Sequence, residues 1–191
     1  GDTVQCFLAD SFFEKSGEGE CDLFSITPHL DIVYEDENIL LLNKRPGISV
    51  HEDEHSEKNT LITHVLAYLA QNSEYDPSEE QSFTPALCNR IDRNTGGIVI
   101  AAKTAEALRV MNEKIKAREL DKIYLCAVHG IPVKKEATLR GFLEKIATEN
   151  RVIVHSCPTR NAKESVTKYK VVSVNKAKNL SLLEVELITG R

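Results

Sequence analysis

The chain has 191 residues, of which 41% are hydrophobic and 28% charged, a balance that fits one globular domain and excludes intrinsic disorder. No run of about 18 apolar residues is present, which excludes a membrane-spanning helix. The net charge of −5 is unevenly spread: residues 1–80 hold 18 acidic and 4 basic side chains, and residues 81–191 hold 11 and 20, so −14 stands against +9. Such asymmetry suggests an acidic flank and a basic working face suited to a polyanion. Cys6, Cys21, Cys88, Cys126 and Cys157 are scattered and odd in number, without Cys-x-x-Cys spacing. This pattern argues against structural zinc or a disulfide framework and for a reducing compartment, hence a cytoplasmic location. No secretory signal is visible at Gly1–Gln5.

In chain order, residues 1–30 read as an attachment, with Ser16–Asp22 polar and glycine-containing like a linker. Ile32–Tyr34 and Ile39–Leu42 flank an acidic turn and predict a hairpin, the second run being continuously apolar as in a strand buried on both faces. Asn59–Ala70 predicts a helix capped by Asn59 or Thr60, with Leu61, Val65, Tyr68 and Leu69 on one stripe. Pro77–Pro85 is an acidic loop. Asn89-Arg90-Ile91-Asp92-Arg93-Asn94-Thr95-Gly96-Gly97 is polar and feeds the apolar strand Ile98–Ala102. A second helix follows from Thr104 to about Arg118, with Thr104 as cap, Glu106 complementing its dipole, and Leu108, Met111 and Ile115 as its buried stripe.

Lys122–Val128 is a strand rich in β-branched and aromatic residues. Alternation puts Tyr124 on the face of Lys122 and Cys126 and leaves Ile123 and Leu125 for the core. Val152–His155, Val166–Val174 and Leu182–Ile188 are further strands, the last two joined by a hairpin loop at Asn175–Asn179. Strands joined by short turns predominate, so the expected class is α+β, a largely antiparallel sheet flanked by helices.

The chemistry concentrates at Asp92. Polar loops carried by rigid elements are where catalytic groups sit, and two flanking arginines favour an ionised carboxylate and a phosphate contact. On charge pattern alone, however, Arg-x-Asp-Arg is more often a surface ion pair. The spacing of a P-loop is missing, and Asn94 separates the carboxylate from Thr95, so no Asp-Thr-Gly of an aspartic protease is formed.

Asn89–Lys103 resembles the catalytic signature of the RluA-type RNA pseudouridine synthases, which usually reads His-Arg-Leu-Asp-x-x-Thr-Ser-Gly and leads into an apolar strand ending in Ala-Lys. Three further segments follow the family's order. Val33–Lys44 with Pro46-Gly47 resembles its opening hairpin and turn, Lys122–Gly130 its Lys-x-Tyr strand, and Leu187–Arg191 the start of its Thr-Gly-Arg motif. Gly1–Phe7 resembles the last strand of the small RNA-binding module often found upstream.

The resemblance implies the mixed central sheet of these enzymes. It places the end of an RNA-binding module and a linker at 1–30, and a catalytic domain, incomplete at its C-terminal end, at 31–191. It implies isomerisation of specific uridines, most readily in ribosomal RNA, to pseudouridine, with no cofactor and no metal. Asp92 takes the nucleophile's role, Tyr124 that of base and stacking platform, and Arg191 that of guanidinium partner. Arg90 grips or replaces the flipped nucleotide, and Arg93, Lys44 and Lys122 contact RNA. Asn89 stands where the signature has histidine, and Gly96 where it has serine. The alternative is a catalytically silent RNA-binding protein on the same scaffold. RNA is the expected partner, and no obligatory protein partner is evident.

Overall fold

The computed structural model describes residues 23–51, 59–77, 83–146 and 151–189. Gly1–Phe7 and Ser16–Asp22, expected as a strand and a linker, lie outside these residues. The chain divides into two compact units, 1–113 and 114–191. The first carries 21 acidic and 8 basic residues, the second 8 and 16, so −13 and +8 fall in different units.

In the first unit, β1 (Ile32–Glu35), β2 (Ile39–Lys44), α1 (Leu61–Gln71), β3 (Ala86–Leu87) and β4 (Gly97–Ala102) precede α2 (Ala105–Ala117), within which the unit boundary falls. The sheet order is β1-β2-β4-β3, with antiparallel pairing throughout. The β1–β2 turn is closed by the Asp36 carboxylate, which accepts the amides of Asn38 and Ile39 at 2.8 Å each. These two bonds hold its carboxyl below the usual carboxylate range.

Register sets Leu40 opposite Ala101 and Leu42 opposite Val99, so all four share one face of the sheet. Leu61, Val65 and Leu69, spaced by four on α1, close over that face as the core. Thr60 caps this helix, its hydroxyl accepting the Thr63 amide. β2 was expected to be buried on both faces; instead Leu40, Leu42 and Lys44 are buried while Ile39 and Leu41 are only partly covered. The expected stripe of α2 is half-buried, and Ala107 is its buried residue. Lys103, directly after β4, is bonded to Glu74, to Glu35 Oε1 at 3.0 Å and to the Asp36 carbonyl at 2.9 Å. Tyr68 of α1 donates to the other Glu35 oxygen at 2.8 Å, tying helix and sheet by charge as well as by packing.

In the second unit, β5 (Ile123–His129), β6 (Glu136–Ile146), β7 (Arg151–His155), β8 (Lys163–Asn175) and β9 (Leu180–Leu187) form one sheet in the order β5-β9-β8-β6-β7. Every pairing is antiparallel. The α+β class is therefore as expected, and the strands of the described residues pair antiparallel throughout, four in the first unit and five in the second. The facing of β5 is the reverse of the expectation. Ile123 and Leu125 are 59% and 69% exposed, and Tyr124 is the half-buried residue, opposite Val185. Alternation separates the two faces of a strand but does not say which one turns inward; Tyr124 lies on the face of Leu183 and Ser181, which are buried.

Candidate active site

The Asp92 loop is held at its start, middle and end. At its start, the Asn89 side chain donates from Nδ2 to the Ile98 carbonyl at 3.1 Å and accepts the Ile100 amide at 2.8 Å. A primary amide thus makes two bonds to β4 where a neighbouring strand would offer a peptide unit. At its end, Gly97 has φ +136, a conformation that side chains rarely adopt. Gly96 also passes close to the preceding turn, since a Cβ there would lie 3.2 Å from Pro46 Cδ and 3.4 Å from the Lys44 carbonyl.

Between these ends the Pro46-Gly47 turn grips the loop from both sides. The Gly47 amide donates to the Arg93 carbonyl at 2.8 Å, and Arg93 Nε donates to the Gly47 carbonyl at 3.0 Å. The loop turns on itself through the Thr95 amide, which donates to the Asp92 carbonyl at 3.0 Å. Beneath sits Lys44, 2% exposed. Its ammonium donates to the carbonyls of Arg45 at 3.1 Å, Ile48 at 2.9 Å and Arg93 at 3.0 Å. An ammonium has three donors, and all three are used. Burial pulls its pKa below that of a free lysine, and the negative charge of Asp92 partly opposes the shift.

Lys44 is therefore not the phosphate contact expected of it. It is a buried positioning residue that carries a positive charge under the loop. Arg93 spends its Nε on the backbone, and among the described residues neither Arg90 nor Arg93 forms an ion pair with Asp92. The surface ion pair that charge pattern favoured is absent. Asp92, Arg90 and Arg93 are all exposed on this braced loop, so the carboxylate is presented to solvent from a fixed backbone.

In the second unit, Tyr124 lies near the start of β5, and β9 runs out beside it, where the Leu187 amide donates to the Lys122 carbonyl at 3.0 Å. Thr189 is then fastened to β8: its hydroxyl accepts the Val166 amide at 3.1 Å and its own amide reaches the Val166 carbonyl at 3.4 Å. The Thr-Gly-Arg segment thus begins at the Tyr124 end of this sheet, while Arg191 itself lies outside the described residues. Lys122 is half-buried at the same end. Sequence reasoning missed the positioning roles of Asn89 and Thr189. The available signal was their chemistry, since Asn and Thr side chains readily bond to backbone.

Residues 38–191 match the family described as RNA pseudouridylate synthase. The chain belongs to this family. An uncharacterized RNA pseudouridine synthase of Mycoplasma pneumoniae is 30% identical to this family member over 191 residues, covering 100% of the chain and 58% of that protein. The ribosomal large subunit pseudouridine synthase D of Borreliella burgdorferi is 27% identical over 180 residues, covering 94% of the chain and 53% of that protein. The chain thus spans about half the length of the curated relatives it matches. Human RNA pseudouridylate synthase domain containing 1 shares the fold of this pseudouridylate synthase domain. The TM-score is 0.66 at 20% identity, over 86% of this chain and 61% of that one.

Proposed function

We propose that the protein isomerises specific uridines of structured RNA, ribosomal RNA foremost, to pseudouridine, with Asp92 as the nucleophile. One observation carries the reading: an exposed carboxylate on a loop braced from below by a buried ammonium and from the side by the Gly47 turn. Positioning to within fractions of an ångström is what such chemistry demands of a scaffold. The reaction breaks the bond from ribose to uracil nitrogen, turns the base and rejoins it through carbon 5, so it needs an anion at the sugar or base and a group to remove the carbon 5 proton. Asp92 supplies the first. Tyr124 supplies the second and a face for the base to lie on, with Arg191 as the cation of the site.

The target uridine must leave its stack at a cost of a few kcal/mol. Arg90, exposed two residues before Asp92, grips the displaced nucleotide, and Arg93 and Lys122 meet phosphates. Ribosomal RNA as substrate is supported by the printed names of relatives such as the Borreliella enzyme, and a cytoplasmic site of action goes with that substrate. Among the described residues no helix is long and apolar enough to cross a membrane. Asp92→Asn is isosteric and should abolish pseudouridine formation while RNA binding persists. Full activity in that variant would falsify the assignment, and wild-type binding without any pseudouridine formed would favour a silent RNA-binding protein.

A further inference from the structure

The lysine-bearing end of the second sheet, remote from Tyr124, carries a surface that the chemistry does not use. Residues 129–135 and 170–183 hold five lysines and no acidic residue. The β5–β6 loop and the β8–β9 turn meet there. The Gly130 amide donates to the Asn179 carbonyl at 2.7 Å, and Ser181 Oγ donates to the Gly130 carbonyl at 2.8 Å. The β5–β6 loop is also pinned to β8. The Val171 amide donates to the Lys135 carbonyl at 2.7 Å, and Tyr169 Oη donates to the Lys134 carbonyl at 3.2 Å.

On this cross-bonded base, Lys134, Lys135, Lys176 and Lys178 are all exposed, and among the described residues none of them has an ion-pair partner. On the same sheet Lys168 does pair, with Glu186 at 3.2 Å. Four exposed ammonium groups on a braced backbone, without an ion-pair partner among the described residues and with no carboxylate in their own loops, form a site for phosphates. The geometry points to this lysine platform as a second RNA contact, one that takes the backbone of a stem flanking the modified uridine. This inference rests on the reading of the protein as an RNA-modifying enzyme.

The dimensions set a length rule. From Tyr124 to Gly130 the strand advances about 20 Å at ~3.3 Å per residue. A stem rooted at the Tyr124 end therefore needs more than about six stacked base pairs to reach the lysines, because A-form RNA rises less per pair than the ~3.4 Å of B-form DNA. Shorter stems stop before them. The exposed large apolar side chains of these two segments, Ile131 and Val133 in the loop and Val172 and Val174 on β8, are divided between two elements, not gathered on one amphipathic helix face as in a lipid anchor.

The test uses the full chain and two RNA hairpins with the same uridine-containing loop and stems of 4 and 12 base pairs. Binding is followed by fluorescence anisotropy across a range of salt concentrations. A variant combining Lys134→Ser, Lys135→Ser, Lys176→Ser and Lys178→Ser should bind the long stem on the order of 10²–10³-fold more weakly at 0.1 M salt. Its slope of log affinity against log salt should be shallower by about 3, as expected for losing four phosphate contacts. Binding of the short stem should change little, and the same four positions changed to Arg should bind the long stem like the wild type.

A comparison variant with Lys116, Lys145, Arg160 and Lys163 changed to Ser removes the same charge elsewhere. If it weakens the long stem equally, or if the platform variant binds both hairpins normally, the inference is overturned. Lysine-dependent binding to phosphatidylserine vesicles but not to the long stem would also overturn it. Pseudouridine formation is scored in parallel. Its absence in the wild type with lysine-dependent stem binding intact would refute the catalytic reading and leave the surface standing.

Discussion

Replacing Lys44 with Met keeps the buried stem and removes the ammonium. Three hydrogen bonds to carbonyls are lost, and bonds to a charged group contribute about 1.5–3 kcal/mol each. Two effects offset that gross figure. The Arg93 carbonyl keeps the Gly47 amide as a donor, and the methionine no longer carries the desolvation cost of a buried charge. What remains is chiefly the loss at the Arg45 and Ile48 carbonyls, about 1–3 kcal/mol apiece, for a net destabilisation of roughly 2–5 kcal/mol.

With a urea dependence of about 2 kcal/mol per molar, the unfolding midpoint should fall by roughly 1–2.5 M, read from the loss of helical circular dichroism. Because one of the three bonds reaches the Asp92 loop directly, pseudouridine formation should fall at least about tenfold in protein that is still folded. A variant within about 0.5 kcal/mol of wild-type stability would refute the energetic reasoning. A destabilised variant with undiminished activity would refute the claim that Lys44 positions the loop.

Further tests follow the same logic. Gly97→Ala forces a Cβ into φ +136 and should cost about 1–3 kcal/mol with a matching loss of activity, measured by urea titration and turnover. Thr189→Val keeps the shape but removes the oxygen that accepts the Val166 amide. It should cost about 1–2 kcal/mol and lower activity, whereas Thr189→Ser should restore both.

His64 is 6% exposed; its Nδ1 accepts the His29 amide at 3.4 Å and its Nε2 lies 2.5 Å from Asn59 Oδ1. Burial first, and the charge of His29 second, hold its pKa below that of a free histidine. The unfolded chain therefore takes up the proton at higher pH than the folded one. Stability should be full above about pH 6.5 and fall as pH drops below it towards the folded value. In urea titrations at pH 7.5 and 5.5, a His64→Leu variant that loses as much stability on acidification as the wild type would show that another group is responsible.

The first unit was largely legible because its signals are local. Leu61, Val65 and Leu69 repeat every four residues, and the acidic turn separates two apolar runs whose pairing follows from proximity in sequence. What stayed hidden depends on tertiary context. A lysine ending an apolar strand reads as an exposed charge, and only the fold brings three carbonyls around the Lys44 ammonium. Ile123 and Leu125 look like core residues because they are apolar, yet the buried Leu183 and Ser181 lie on Tyr124's face of the sheet. β6 was not foreseen. Glu136–Ile146 mixes charges with a glycine and lacks clean alternation, and Gly141 makes sense only beside Val154, whose Cγ1 would lie 3.3 Å from a Cβ there. At the candidate site, the exposed members Asp92, Arg90 and Arg93 were legible as a cluster in sequence, whereas the groups that brace them were not.

The Asn89 amide has a consequence for motion. Edge strands open first when a sheet breathes, and β3 is a two-residue edge strand directly upstream of the Asp92 loop. Because the Cys88 amide and then the Asn89 side chain make the last bonds to β4, Ala86 and Leu87 can detach while the root of the loop stays clamped. Asn89 acts as a strain relief, separating the restlessness of the sheet's margin from the placement of the carboxylate.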